Sequence, residues 1–168
     1  MFEKKFHVSA IGNAMLDVVC EVSDKFLKGE NILKGNMQLI SQERSRYLLN
    51  LIDPVKKTAG GSAANTISAL SKLGLKTSYI GKVANDKEGN LFSQDLKSQN
   101  VNYKTNALSS KNYLTTGKCI VMVTSDKERT MNTYLGATEL LDSDDIDIEI
   151  IKQSEWLYLE GYRFDGKE

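Results

Sequence analysis

The chain is poor in the residues that would commit it to metal, disulfide or membrane chemistry. It has one histidine, His7, one proline, Pro54, one tryptophan, Trp156, and two cysteines, Cys20 and Cys119. A lone histidine excludes multi-histidine metal sites and ties any histidine-based triad to that one position. Its place in the first apolar run reads as that of a residue flanking a strand, and no metal site is expected. The cysteines lie far apart inside apolar, strand-like runs, so they read as buried reduced thiols rather than a disulfide framework or a metal knuckle. A cytoplasmic protein is expected. Excess charge is missing too: 22 Lys and Arg balance 22 Asp and Glu, which leaves no global field to draw the protein to nucleic acid or to an anionic membrane. No apolar run is long enough for a signal segment or a bilayer span, so a soluble protein is expected.

What is present is alternation. Residues 6–11 are short and apolar-rich and close in Gly12-Asn13, the pattern of a buried strand running into a loop. Residues 17–22 form a second extended piece, and 32–40, broken by Lys34-Gly35-Asn36, predict short strands about a turn. Ser41 can cap a helix over 42–53 with Tyr47, Leu48, Leu51 and Ile52 on one face, ended by Pro54. A second helix starts near Ser62, turns Ala63, Ile67 and Leu70 inward and stops at Gly74. Residues 77–83 read as a strand, and Asp86 caps a third helix to about Gln99 that buries Phe92 and Leu96. Residues 118–124 and 129–135, joined by Ser125-Asp126-Lys127-Glu128, predict a hairpin. After the acidic stretch 142–147, residues 156–159 read as one more buried strand.

Strands alternating with helices predict a parallel sheet covered by helices, because parallel neighbours need crossover connections. The hairpin-like pieces break that alternation and predict a small sheet projecting from the main domain, placed to serve as a lid over a cleft. No repeat or low-complexity tract interrupts the pattern.

In an open α/β sheet, ligands bind outside the carboxyl ends of the strands. Three loops qualify: Gly12 through Asp17, Ala59 through Asn65, and Glu160-Gly161-Tyr162-Arg163. Gly60-Gly61 followed at once by a helix lets backbone N–H groups approach a polar ligand without side-chain obstruction. Asn65, one turn into that helix, can aim its amide the same way, and Asp17 supplies a carboxylate suited to a pair of sugar hydroxyls. Singly, a Gly-Gly pair is a common tight turn and an Asp a common cap. Their joint occurrence at successive strand ends is the functional signal. The segment has neither dinucleotide-fingerprint spacing nor a P-loop ending, so a nucleoside triphosphate is not expected here.

These residues carry a resemblance. Gly12-Asn13 with Leu16-Asp17-Val18, then Gly60-Gly61-Ser62-Ala63-Ala64-Asn65-Thr66, then Gly81 to Gly89 and Glu160-Gly161-Tyr162, resemble in order the N-terminal half of ribokinase-like (PfkB-type) carbohydrate and nucleoside kinases. Within the family the similarity is greatest to adenosine kinases and the bacterial sugar kinases like them, and it runs over essentially all 168 residues. It implies a doubly wound α/β domain with a β-sheet lid, its strands at about 17–40 and 112–136. It further implies transfer of the ATP γ-phosphate, with Mg2+, to a primary hydroxyl of a sugar or ribonucleoside.

By the same resemblance Asp17 matches the aspartate that holds sugar hydroxyls, and Gly60, Gly61 and Asn65, with Ser62 beside them, match the glycine-rich substrate motif. Asn13, Met15 and Leu39 match positions lining the sugar or base side of the pocket. Arg129 matches an arginine that can reach the transferred phosphate, where a guanidinium offsets developing charge; a solvated hairpin arginine is the plain alternative. Two departures stand out. The Gly-Ala-Gly-Asp motif that carries the family's general base does not occur, and the Asn-x-x-Glu motif connected with magnesium is expected outside the chain together with the ATP site. Arg163 stands where the resemblance implies an apolar residue, a charge consistent either with altered substrate choice or with a decayed gene. The chain is therefore expected to hold the substrate-gripping half of the fold, to lack its C-terminal part and to be inactive alone. A truncated fragment, and a sugar- or nucleoside-binding module that dimerises through its lid strands, remain open alternatives.

Overall fold

In the computed structural model, which describes residues 4–109 and 112–163, the apolar runs sort into two sheets. Along the chain the elements are β1 (Phe6–Ile11), β2 (Met15–Glu21), α1 (Asp24–Gly29), β3 (Met37–Leu39), α2 (Gln42–Leu51), β4 (Lys56–Gly60), α3 (Ser62–Lys72), β5 (Thr77–Ile80), α4 (Lys87–Ser98), β6 (Val101–Tyr103), β7 (Gly117–Val123), β8 (Arg129–Tyr134), α5 (Ile148–Lys152) and β9 (Ser154–Leu159). No helix among the described residues is long and apolar enough to cross a membrane.

The first sheet is wholly parallel, in the order β6-β5-β1-β9. Strand order reverses at β1, with β5 and β6 on one side and β9 on the other, so a crevice opens past the carboxyl ends of β1 and β9. Helix α3 packs against β1 and β5, α5 against β1 and β9, and α4 spans from β6 to β4. Caps end the helices where the sequence predicts: the Ser41 hydroxyl accepts from the Arg44 N–H at 3.2 Å, and the Asp86 carboxylate accepts from the Gly89 N–H at 2.7 Å. The core beneath these helices joins Ala10, Ala63, Ile67 and Leu96 to an aromatic trio. Tyr79, Phe92 and Tyr103 have ring centroids 5.3–6.2 Å apart in tilted and edge-on pairs.

The second sheet, in the order β3-β8-β7-β2-β4, projects from the first. The β7–β8 hairpin is antiparallel, β2 joins β7 in parallel, and β4 closes the far edge antiparallel to β2. Strand β7 is apolar on both faces for a reason: Ile120 and Met122 pack under α2 with Leu48, while Cys119 and Val121 turn with Met15 to the opposite face. Both thiols are free and buried, and that burial pushes each up to about 11, as expected of reduced core cysteines. His7 behaves as a strand residue, its Nδ1 accepting the Lys76 N–H at 2.9 Å.

Several elements differ from the sequence reading. Strand β4 belongs to the second sheet and lies outside the ranges expected for it; Lys56 and Lys57 give it a polar edge with no apolar signal. Helices α1 and α5, capped by Ser23 and Asp147, are only 6 and 5 residues long, too short to show a period. Within 32–40 only Met37–Leu39 is a strand. Leu48 on α2 and Ile52 just past its end are buried but Tyr47 and Leu51 are exposed; Tyr47 turns outward to stack under the Arg44 guanidinium, 5.2 Å from its ring centroid. Leu70 is only partly buried. Strand β9 forms as expected but is not buried: with β1 on one side only, it leaves Trp156 72% exposed at the open edge of the sheet.

Candidate functional site

The crevice at the switch point is a cavity of about 850 Å³ between the end of the first sheet and the inner face of the second. Asn13 enters from the end of β1, Met15 and Asp17 from β2, Leu39 from β3, Gly61, Ser62 and Asn65 from the start of α3, and Arg129 from β8. Seven of the eight expected substrate-binding residues, and Arg129, therefore line one hollow. Gly60 is the eighth, and it sits beneath the Asp17 side chain rather than at the cavity wall.

Pairing explains that placement. Asp17 lies opposite Thr58, so Gly60, two residues on, is its diagonal neighbour on the same face. A β-carbon on Gly60 would overlap the Asp17 carboxyl group. Gly61 has φ of 95°, in the left-handed region, and a β-carbon there would strike the Asn13 carbonyl oxygen. Gly61 thus lets the start of α3 approach the β1–β2 backbone closer than a side chain permits, while Gly60 leaves the space that the Asp17 carboxyl fills. Helix α3 then starts without a side-chain cap, and its open first turn lies at the cavity wall.

Electrostatics centre on Asp17. Burial pushes its carboxyl above the ordinary carboxylate range, while interaction with the Asn65 amide and the charge of Arg129 draw it part of the way back. Arg129 is exposed and takes part in no ion pair among the described residues. Asn13 is anchored through Thr138, whose hydroxyl accepts from the Ala14 N–H at 3.1 Å and bonds the Asn13 Oδ1 at 3.4 Å. The Ser62 hydroxyl is already engaged: it donates to the Glu160 carboxylate at 2.6 Å, and the Tyr158 hydroxyl donates to the same oxygen at 2.8 Å.

The sequence reading missed most of the apolar wall. Cys119 and Val121 on β7, and Met131 and Thr133 on β8, alternate along their strands into the cavity, a period-two signal that could have been read. Glu160 and Tyr162 lie in a loop that was singled out without being assigned, and Glu139 sits in a 3-10 turn that no local pattern marks. One Asn-x-x-Glu spacing does occur, at Asn85-Asp86-Lys87-Glu88, contrary to expectation; it opens α4, where Asp86 is the cap, and none of its residues lines the cavity. The Arg163 side chain lies outside the described part of the structure.

A carboxylate, an amide and an uncapped helix start share the cavity with the apolar side chains of Met15, Val121 and Met131, a mixed lining that suits a ligand joining a polyol to a flat or apolar body. The described residues contain no group of three or more His, Cys, Asp or Glu that could hold a metal ion, and Arg129 is the one cation among the described residues lining the cavity.

Residues 28–166 match the pattern of the pfkB family carbohydrate kinases. Over 96% of its length the chain superposes on an adenosine kinase from Sinorhizobium meliloti, with 38% identity and a TM-score of 0.89, covering 49% of that chain. It superposes equally on a probable sugar kinase from Rhizobium etli, with 36% identity and a TM-score of 0.90, covering 48%. A 5-dehydro-2-deoxygluconokinase from Geobacillus thermodenitrificans is 30% identical over 107 residues, which are 62% of this chain and 32% of that protein. The chain thus spans about half the length of the solved proteins it resembles.

Proposed function

The chain belongs to the pfkB family of carbohydrate kinases, and we propose that it forms the substrate-binding half of a kinase that phosphorylates a primary hydroxyl of a sugar or an adenosine-like ribonucleoside. The observation that carries this reading is the convergence of Asp17, Asn65 and the Gly61 turn on one cavity that is also lined by apolar side chains. In this reading the Asp17 carboxylate accepts from two vicinal hydroxyls, and Asn65 and the first turn of α3 fix their orientation. Met15, Cys119, Val121 and Met131 face the base or the apolar side of the sugar, and the second sheet serves as the lid that keeps water from the reacting hydroxyl. Arg129 stands at the lid edge of the cavity, where its charge would stabilise a transferred phosphoryl group.

ATP with Mg2+ is the donor that the family implies for the whole protein, and its site is proposed to lie outside this cavity, where Arg129 is the one cation among the described lining residues. Turnover by the 168 residues alone is proposed to be negligible, since Gly-Ala-Gly-Asp is absent from them. Calorimetric titration of the chain with adenosine and with D-ribose tests the reading. Saturable binding of either, lost in Asp17→Ala, is expected; absence of binding by both overturns it. A second reading, a binding module that dimerises through its lid, draws on Met37 and Leu39, which are 49% and 62% exposed on the edge strand β3. Light scattering that shows a tight dimer, with no heat from either ligand, would favour it.

A further inference from the structure

A single carboxylate ties the edge of the second sheet to the helical layer of the first. Asp95, on α4, has its Oδ2 accept the Thr58 hydroxyl at 2.7 Å and the Ala59 N–H at 2.6 Å, while its Oδ1 accepts from the Gln99 amide at 3.1 Å. The two β4 residues it holds are the ones that matter for the site. Thr58 is paired directly with Asp17, and Ala59 immediately precedes Gly60, on which the Asp17 carboxyl rests. Among the described residues β4 is the edge of its sheet and pairs only with β2, with no strand on its outer side to hold it in place. Asp95 fills that role with charge-assisted bonds, which are about twice as strong as neutral ones.

We propose that Asp95 is a positioning residue for polyol binding: by clamping Thr58 and Ala59 it keeps Gly60 under the Asp17 carboxyl and the Gly61 turn aimed at the cavity. It touches no substrate itself and lies outside the residues lining the cavity. The clamp also sits just before the start of α3, since β4 leads straight through Gly60 and Gly61 into that helix. The inference rests on the substrate-binding reading above, but its geometry is independent of which ligand is bound.

The test uses the full 168-residue chain in wild-type, Asp95→Ala and Asp95→Asn forms. Carboxyl NMR titration of Asp17 and amide exchange at Ala59 and Gly60 report the clamp without ligand, and titration with adenosine and D-ribose reports its effect on binding. In Asp95→Ala, water reaches the loosened site, so the Asp17 titration should move down towards the ordinary carboxylate range, and exchange should rise at Ala59 and Gly60 but not across the first sheet. Affinity should fall roughly tenfold, as for one lost hydrogen bond to a charged group. Asp95→Asn, which keeps an acceptor for the Ala59 N–H, should recover part of each effect. If Asp95→Ala does not fold, Thr58→Val removes one of the two clamp bonds and should shift the same readouts in the same direction. An unchanged Asp17 titration and unchanged local exchange in a folded variant would overturn the proposal. Failure of the wild type to bind either ligand would instead count against the substrate reading, and the two ligand-free readouts would still decide the clamp.

Discussion

The carboxyl group of Asp17 occupies the space that a β-carbon on Gly60 would fill. The contact is a consequence of register, because antiparallel pairing of Asp17 with Thr58 puts Gly60 on the same face, one diagonal away. The aspartate can lie flat against the strand because that position carries no side chain.

The two glycines should therefore respond differently to alanine. At Gly60 the obstructing group is the tip of a short side chain, which can swing aside, so Gly60→Ala should fold with little loss of stability yet lose adenosine or ribose binding by at least about tenfold. At Gly61 the obstruction is the Asn13 carbonyl and φ is 95°, so Gly61→Ala should lower stability by about 1–3 kcal/mol as well as binding. Chemical denaturation and calorimetry on the two variants separate the outcomes.

Asp17 is expected to trade stability for function. Its carboxyl titrates above the ordinary range because burial penalises the charge, so folding favours its protonated form. That contribution is complete below the ordinary carboxylate range and is lost as pH rises through the raised value. Asp17→Asn should thus melt no lower than wild type at pH 7, should flatten the pH dependence of melting on the acid side, and should abolish polyol binding. Melting curves from about pH 3 to 7 check the sign.

At the tip of the second sheet Lys34 donates to Asp24 at 2.6 Å and to Asp126 at 2.8 Å, joining the segment before β3 to the β7–β8 turn. The Lys34 and Thr124 side chains hold the Asp126 carboxyl well below its usual range. Its contribution is therefore present above the ordinary carboxylate pKa and lost as pH falls through the depressed one. Both carboxylates are exposed and the Lys34 side chain is half-buried, so solvent screens the pairs and Lys34→Ala should leave global melting nearly unchanged. It should instead raise amide exchange in residues 31–39, the stretch that carries Leu39 over the cavity.

The open edge of the first sheet should be adhesive. On β9, Trp156, Leu157 and Leu159 are all exposed, and among the described residues the strand pairs with β1 alone. Self-association that grows with concentration is expected for the isolated chain, and Trp156→Lys should reduce it without loss of melting temperature. Light scattering over a dilution series measures both.

The alternation of strand and helix, the caps at Ser41 and Asp86, and the β7–β8 hairpin were legible in the sequence because each rests on a local period or a turn chemistry carried by neighbouring residues. Asp17, Gly60-Gly61 and Asn65 stood out by their joint occurrence near successive strand ends, although Asp17 proves to lie within β2 and Asn65 within α3 rather than in loops. Strand β4 was not, since two lysines at an edge look like a loop until a partner strand is in place. The exposure of Trp156 was not either, because an apolar run reads alike in the middle of a sheet and at its margin.

What the residues settled by themselves was which segments extend, which coil, and which few polar groups sit at their ends. What only the folded chain decided was company: that Asp17 rests on Gly60, that Cys119 and Met131 wall the same hollow as Asn65, and that Asp95 reaches Ala59 from 36 positions away. Those meetings depend on register and on long-range packing, which cost chain entropy to form and leave no mark in any local stretch of sequence.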